Sequence, residues 1–246
     1  VPAREEFPER LGAVLGVVYL IFNEGYVASS GEEWIRKDLG DEALRLGRVL
    51  AELLPGEPEV HGLVALMELT ASRFAARTTP SGEPVLLADQ DRTRWDRAQI
   101  NRGLAALARA DAIGRGRGPY GLQAAIAECH SRAATFEDTD WDRIVLLYDI
   151  LARVAPSPVV DLNRAAALSM ARGPAAALED IDRLVASGTL AGYHLLPSVR
   201  GELLRRLGRA VEARGELLEA ARLTGNERER AVLLAKAEEV RESFGL

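Results

Sequence analysis

The chain is poor in the side chains that most often carry chemistry. Its 246 residues include one cysteine, Cys129, so no internal disulfide bond can form, and we expect a cytoplasmic protein. The three histidines, His61, His130 and His194, stand far apart along the sequence, which argues against a histidine metal site. Aromatic residues make up only 5% of the chain. The core must therefore consist mainly of Leu, Ala and Val, and the first two favour helix.

Positive charge is scarcer than negative charge. The net charge of −6 argues against a nucleic-acid-binding chain, because contacts with phosphates require clustered Lys and Arg. The apolar run from Leu11 to Phe22 covers about twelve residues, fewer than the ~20 that a membrane span needs. We therefore expect a central, buried helix there and no contact with a membrane.

The sequence also lacks a signal peptide and an initiator methionine. Residues Val1 to Pro8 are charged and hold two prolines, which is unlike a signal peptide. The chain begins with Val1 and not with Met, so we expect it to be a piece of a longer protein.

The sequence also lacks the common catalytic and nucleotide-binding motifs. It has no P-loop pattern, and the glycines at positions 114, 116 and 118 do not match the dinucleotide fingerprint. No serine occurs in a nucleophile elbow. We therefore assign no catalytic residue, no metal ligand and no cofactor, and we expect the chain not to be an enzyme.

A repeat of 36 residues is the clearest feature that is present. Small and apolar residues at 165, 168, 177, 181 and 184 recur at 201, 204, 213, 217 and 220. Each copy has the pattern of a helix, a glycine turn and a second helix. The period is close to the 34 residues of tetratricopeptide repeats, whose neighbouring units bury their faces on one another. Such arrays usually bind other chains.

Helical periodicity extends over almost all of the remaining sequence. We predict an all-α fold, a helical array of antiparallel helix pairs with tetratricopeptide-like repeats at the carboxy-terminal end. Residues 77–88 contain a Pro-Ser-Gly turn before an extended-looking stretch and also allow one small β-hairpin. We expect a helical domain over residues 1–135, and repeats with a capping helix over residues 136–246.

Glycine, proline and polar residues predict the helix boundaries. Gly25 is expected to end the first helix, Asp41 to cap the next, and Pro58 to open a long one. Asn226 and Glu229 have the spacing of a capping box at the start of the last helix.

Three polar clusters are candidates for an interaction site or for internal bracing. The first comprises Asp89, Gln90, Asp91, Arg92 and Trp95, the second contains Glu24 and Tyr26, and the third contains Tyr193 and His194. In the first cluster the carboxylates can brace a loop, with Asp96 capping the helix that starts near Arg94. They can also contact a partner or ligand, and paired carboxylates can do acid–base work.

The other two clusters also allow more than one interpretation. Polar groups around Glu24 would need partners if buried, and Arg92 is a candidate. Tyr193 could line the inner groove of the array together with Arg164 and Arg200, because tetratricopeptide grooves take peptides. Tyr193 could equally be an ordinary packing residue.

Several short motifs follow one another in a fixed order along the chain. They are Val1-Pro2, Glu9-Arg10-Leu11, the run from Val17 to Tyr26, the run from Leu87 to Trp95, Gly118-Pro119-Tyr120, the run from Leu122 to Ala127, Thr139-Asp140-Trp141, Leu147-Tyr148-Asp149, the run from Pro158 to Ala165, and Gly192-Tyr193-His194. In this order the chain resembles the carboxy-terminal extension of bacterial extracytoplasmic-function RNA polymerase sigma factors (sigma-70 family) that carry a helical, tetratricopeptide-containing tail. The resemblance covers essentially the whole chain.

The resemblance implies a role in transcription initiation. In such sigma factors, two helical domains that precede the tail bind the core polymerase and the promoter, and Val1 would lie just past the second. The fragment itself is then expected not to bind DNA. Its tail would regulate the sigma factor by contacting the sigma factor's own core domains, RNA polymerase or a regulatory protein. The family supplies no catalytic residues.

Two alternatives compete with this interpretation. One is a free-standing, tetratricopeptide-like scaffold that binds peptides. The other is a small-ligand-binding or enzymatic helical domain centred on Glu24, Asp91, Arg92 and Trp95, which requires these side chains to converge on an open pocket.

Overall fold

The computed structural model describes residues 6–26 and 36–245, and over these ranges the chain is all-α, as predicted. Eleven α-helices pack in adjacent antiparallel pairs, and the described residues form no β-strand. The helices are α1 (Phe7–Tyr26), α2 (Lys37–Leu53), α3 (Pro58–Ala71), α4 (Arg97–Ala112), α5 (Pro119–Arg132), α6 (Trp141–Val154), α7 (Pro158–Arg172), α8 (Pro174–Ser187), α9 (Leu195–Arg206), α10 (Ala210–Leu223) and α11 (Glu227–Phe244). None of these described helices is long and apolar enough to cross a membrane.

The described chain divides into two compact units at the start of α6. Residues 6–26 and 36–139 form the first unit, with α1 to α5, and residues 140–245 form the second, with α6 to α11. Each unit has its own apolar core.

The central helix of the first unit is α3. It packs against α1, α2, α4 and α5, and every residue from Val60 to Leu69 is buried. We expected the central position for the apolar run of α1, and this prediction is wrong. α1 buries Leu15, Val18 and Phe22 on one side, while its opposite side is exposed.

A close approach of two backbones joins α1 to α2. A Cβ atom at Gly25 would collide with the backbone of Gly40, so the position requires glycine. Gly25 does not end the helix as predicted, because α1 continues one residue further, to Tyr26. The predicted cap at Asp41 is also wrong, because α2 already begins at Lys37 and Asp41 lies inside it.

Short turns connect α3 to α4. The region of the predicted hairpin contains a single antiparallel bridge, between Thr78 and Pro84, and the ladder does not continue. Two backbone hydrogen bonds flank this bridge: the Thr79 N–H donates to the Glu83 carbonyl oxygen at 2.9 Å, and the Val85 N–H donates to the Arg77 carbonyl oxygen at 2.8 Å. Asp96 caps α4 as predicted, since its Oδ1 accepts a hydrogen bond from the Gln99 backbone N–H at 3.0 Å.

The repeat pairs build most of the second unit. α7 and α8 form the first pair, and α9 and α10 form the second. Their equivalent small and apolar positions are buried or partly buried in one core, as the repeat predicts. α11 packs on α10 and is capped by Asn226, whose Oδ1 accepts from the backbone N–H groups of Arg228 and Glu229 at 3.0 and 3.1 Å.

Candidate functional site

Arg92 and Trp95, at the centre of the first predicted cluster, connect the loop before α4 to the end of α5. Arg92 Nη1 donates to the carbonyl oxygens of His130 and Ala133, at the end of α5, over 2.6 and 2.8 Å. Its guanidinium lies 4.7 Å from the centre of the Trp95 ring, which is 3% exposed. Burial, together with the positive charge of Arg73, lowers the pKa of Arg92. The donors of Arg92 thus hold α5 rather than a ligand.

The remaining members of the first cluster organise the loop before α4. Asp91 is exposed, and its Oδ1 accepts from the backbone N–H and the hydroxyl of Thr93 at 2.9 and 2.6 Å. These bonds lower the pKa of Asp91. Asp89 is also exposed, while Gln90 is buried and donates from Nε2 to the Val85 carbonyl oxygen at 3.2 Å. These contacts agree with loop bracing, one of the interpretations that the sequence left open for this cluster.

The second cluster does not meet the first in the way the sequence suggested. Glu24 is partly buried on α1, and Tyr26 is the last residue of that helix, with a side chain outside the described part of the structure. Arg92, the expected partner of this cluster, bonds instead to α5. Neither recess described below is lined by Glu24, Asp91, Arg92 or Trp95.

The third cluster connects the loop before α9 to α11. His194 Nε2 lies 3.1 Å from the carboxylate of Glu229, and the ring of Tyr193 meets the His194 ring edge to face at 5.6 Å. Burial would raise the pKa of Glu229, but the hydrogen bonds from His194 and from the Thr224 hydroxyl outweigh it and lower the pKa. Tyr193 packs on the core of the second unit. The cluster therefore joins the last repeat to its capping helix.

Arg164 and Arg200, the proposed lining of a peptide groove, are engaged in a repeated set of ion pairs. Arg164 lies 2.6 Å from Asp149 of α6 and 2.9 Å from Asp180 of α8. Arg200 of α9, 36 residues later, pairs in the same way with the preceding helix, α8, and with the following helix, α10. Its partners are Asp182 at 2.9 Å and Glu216 at 2.5 Å. Each arginine ties its helix to both neighbours.

The sequence analysis missed Glu68, a buried carboxylate in the middle of α3. It is 1% exposed and has a partner on each flanking helix. Arg48 of α2 donates through Nε and Nη2 to Glu68 Oε1 at 2.9 and 2.6 Å, and Arg102 of α4 donates through Nε to both oxygens at 3.2 and 3.3 Å. A lone carboxylate in the apolar run from Leu63 to Leu69 was the available signal, because a buried charge must be paired.

Arg48 and Arg102 border a polar recess of about 390 Å³. Its other charged lining residues are Lys37, Asp41 and Asp96, and Ser72 and Gln99 add neutral polar groups. Arg48 and Arg102 also bind Glu68, so Lys37 and the two arginines are balanced by the carboxylates of Asp41, Asp96 and Glu68. The charges of the recess balance and do not select a ligand of either sign.

An apolar groove of about 420 Å³ runs between α1 and α2. It is lined by Ala13, Val14, Val17, Val18, Ile21, Leu46, Val49 and Leu50. We call this groove, together with the exposed side chains of Leu20 and Leu53 on the same two helices, the α1–α2 apolar face. Its lining offers no polar group for catalysis.

A second apolar surface lies on α6, the first helix of the second unit. Leu146, Ile150 and Val154 are 62%, 45% and 50% exposed. Their spacing of four residues places them on one face of the helix. Ile144, Leu147 and Leu151 are buried instead, and α6 packs on α7. We call Leu146, Ile150 and Val154 the α6 stripe; neither the repeat nor the polar motifs pointed to it.

The described residues contain no group of three or more His, Cys, Asp or Glu side chains arranged to hold a metal ion. The candidate sites in the described part of the chain include two apolar surfaces and one charge-balanced recess. Apolar helix faces of this kind suit contacts with another polypeptide.

The amino-terminal part of the chain is similar to a known protein family, and most of the chain is similar to one longer protein. Residues 10–111 match the model of a family described as a family of unknown function (DUF6596). Over 225 residues, 92% of this chain, the sequence is 49% identical to an uncharacterized protein of Rhizobium meliloti (strain 1021), and the chain spans 52% of that relative's length. No solved structure matches the chain. The match to the family model thus runs from α1 to α4, and over nearly its whole length the chain is homologous to about half of a longer rhizobial protein.

Proposed function

We propose that the chain is the regulatory, protein-binding tail of an extracytoplasmic-function RNA polymerase sigma factor. In this proposal the polymerase- and promoter-binding domains belong to another part of the same polypeptide. The tail acts in the cytoplasm, does not bind DNA itself and catalyses no reaction. It acts by contacting those domains, RNA polymerase or a regulatory protein.

The observation that carries the proposal is the α6 stripe. In a helical array each helix face is covered by the next helix, and a face without such a neighbour is available to another chain. Leu146, Ile150 and Val154 recur at the spacing with which a helix presents anchors to a helical partner. These side chains are already about half buried, so covering one of them contributes roughly half of the 1.5–3 kcal/mol of a fully exposed side chain. The stripe therefore supplies the apolar centre of a larger contact and does not carry the whole of it.

Two further facts support the proposal. The ordered motifs of the whole chain resemble the tails of these sigma factors. The rhizobial relative is about twice as long as the matched region, since the chain spans 52% of it. A relative of that length has room for the two additional helical domains that a sigma factor requires.

The α6 stripe can be tested in the complete sigma-factor polypeptide. Leu146→Arg combined with Ile150→Arg places two charges on the stripe without touching the buried side of α6. The control is Val185→Arg on α8, because Val185 is 46% exposed and Ile150 is 45% exposed. Promoter-dependent transcription is measured for each variant, with the melting temperature as a check of folding.

We expect the double change to abolish the effect of the tail on transcription and to leave the melting temperature near that of the wild type. The Val185→Arg variant should behave like the wild type in both measurements. Normal regulation by a folded double variant would refute the role assigned to the stripe.

A further inference from the structure

The polar recess lined by α2, α4 and the segment after α3 carries an excess positive charge at one end. Arg48 of α2 and Arg102 of α4 both bind the buried carboxylate of Glu68 in the middle of α3. Two guanidinium groups thus share a single carboxylate, which leaves this end with one positive charge in excess. We call Arg48, Arg102 and Glu68 the arginine end of the recess.

The other end of the recess carries an excess negative charge. Asp41 lies almost two turns before Arg48 on α2, and Lys37 lies one turn before Asp41. Asp96 precedes α4, and its backbone N–H donates to the carbonyl oxygen of Ser72, just past the end of α3, at 2.8 Å. We call Lys37, Asp41 and Asp96 the aspartate end. Its two carboxylates and one ammonium group leave one negative charge in excess.

The charges of the recess therefore balance overall but are separated along its length. Asp41 and Arg48 are about 10 Å apart along the axis of α2, and Asp96 and Arg102 are about 9 Å apart along that of α4. The apolar part of the lining consists of Leu44, Ala71, Phe74 and Ala75. A ligand that spans the recess meets a cationic end, apolar side chains and an anionic end.

Both ends keep polar atoms that no described residue binds. Arg48 uses Nε and Nη2 for Glu68, and Arg102 uses Nε, so Nη1 of Arg48 and both Nη atoms of Arg102 remain available. Asp96 uses Oδ1 for the cap of α4 and keeps Oδ2, while Asp41 forms no hydrogen bond or ion pair with a described residue. Because Glu68 already fixes the two guanidinium groups, a ligand does not have to order them.

We propose that this recess binds a small zwitterion of the ω-amino-acid class, in which a short apolar chain joins a carboxylate to an ammonium group. The carboxylate accepts hydrogen bonds from Arg48 and Arg102 at the arginine end. The ammonium group donates to Asp41 and Asp96 at the aspartate end. A simple anion or cation matches one end and is repelled by the other. The volume of about 390 Å³ is within the range of small-molecule sites.

Isothermal titration calorimetry of the intact chain with three probes tests the proposal. 6-Aminohexanoate carries both charges, hexanoate carries only the carboxylate, and hexylamine carries only the ammonium group. We expect 6-aminohexanoate to bind at least about tenfold more tightly than either of the other two. Equal affinities for the three probes, or no binding of 6-aminohexanoate up to about 10 mM, overturn the proposal. The measurement involves no transcription, so its outcome does not depend on the proposed regulatory function.

Two single substitutions test the orientation of the ligand. Asp41→Asn removes the excess negative charge of the aspartate end, so 6-aminohexanoate should no longer bind more tightly than hexanoate. Asp96→Asn should have the same effect, and asparagine still caps α4. The control is Glu52→Gln, which also removes one negative charge from an exposed position of α2 but lies outside the recess, and it should bind like the wild type. A preference for 6-aminohexanoate that persists in both aspartate variants contradicts the proposal.

Discussion

Gly201 of α9 lies so close to Leu217 of α10 that a Cβ atom at position 201 would stand 3.0 Å from Leu217 Cγ. The Ala213 carbonyl oxygen would be 3.2 Å from the same atom. The equivalent positions in the first repeat are Ala165 and Ile181, which are both fully buried. The repeated small residues thus mark the positions where the two helices of a pair are in contact. In the second pair the helices are so close that an alanine at position 201 would require the neighbouring atoms to shift.

Gly201→Val is expected to destabilise the second unit by ~1–3 kcal/mol, because the added atoms overpack the contact with Leu217. The matched control is Gly215→Val on α10, where a Cβ atom meets nothing within 4 Å. Thermal unfolding followed by circular dichroism measures both. If the two variants melt at the same temperature, the close contact at Gly201 is not real.

Ala213→Leu tests the same helix contact from the other side. Ala213 is 0% exposed, and the larger side chain has no space to occupy between α9 and α10. We expect a loss of ~1–3 kcal/mol in the free energy of unfolding, measured with urea. An unchanged unfolding midpoint would show that Ala213 does not lie at a helix contact.

Glu68→Ala should be among the most destabilising substitutions in the first unit. It removes the carboxylate that Arg48 and Arg102 share and leaves a cavity in a buried helix, at a cost of about 2–4 kcal/mol. Glu42→Ala is the control, since Glu42 forms an exposed pair with Arg45 on α2. Denaturant unfolding of the two variants should give clearly separate midpoints, and coincident midpoints would mean that Glu68 is not a structural ion pair.

His130 should make stability depend on pH. Burial, with the positive charges of Arg73 and Arg92, lowers the pKa of His130 to about 4. The unfolded chain has a histidine pKa near 6.5, so between about pH 6.5 and 4 it binds a proton that the folded chain does not. Stability therefore falls as the pH decreases through this window, by up to about 3 kcal/mol.

The His130→Gln variant isolates this effect. Unfolding free energies of wild type and variant at pH 7, 5.5 and 4.5 are compared, so that the contributions of other groups cancel. The difference between the two proteins should change steadily across the series in favour of the variant at low pH. A constant difference would show that His130 titrates normally in the folded chain.

The repeated helices were predictable because their pattern is local. The small residues at 165, 177, 201 and 213 have a fixed spacing, and close helix contacts admit few other residues. The same period connects Arg164 to Arg200 and Asp180 to Glu216, which is the signal that these arginines are structural. The sequence analysis allowed these arginines to line a peptide groove, because the arginines alone do not show which carboxylates of the neighbouring helices they contact.

The composition of α1 could not show which side of the helix packs on the rest of the chain. An apolar run from Leu11 to Phe22 predicts burial, but it does not say whether the cover comes from the same chain or from another. Glu68, in contrast, could have been predicted from the sequence, because a single carboxylate between Met67 and Leu69 must be paired with a cation if it is buried. Which arginines complete that pair depends on the packing of α2 and α4 on α3, and the sequence alone does not define that packing.

The most direct test of the proposed role is transcription in vitro by the complete sigma-factor polypeptide, with and without the segment described here. The segment should change the transcript yield at the polypeptide's own promoter by at least about fivefold, the lower end of typical regulatory coupling. The isolated chain should bind neither that promoter nor unrelated DNA. Equal yields from the two proteins would contradict the proposal that this chain regulates transcription initiation.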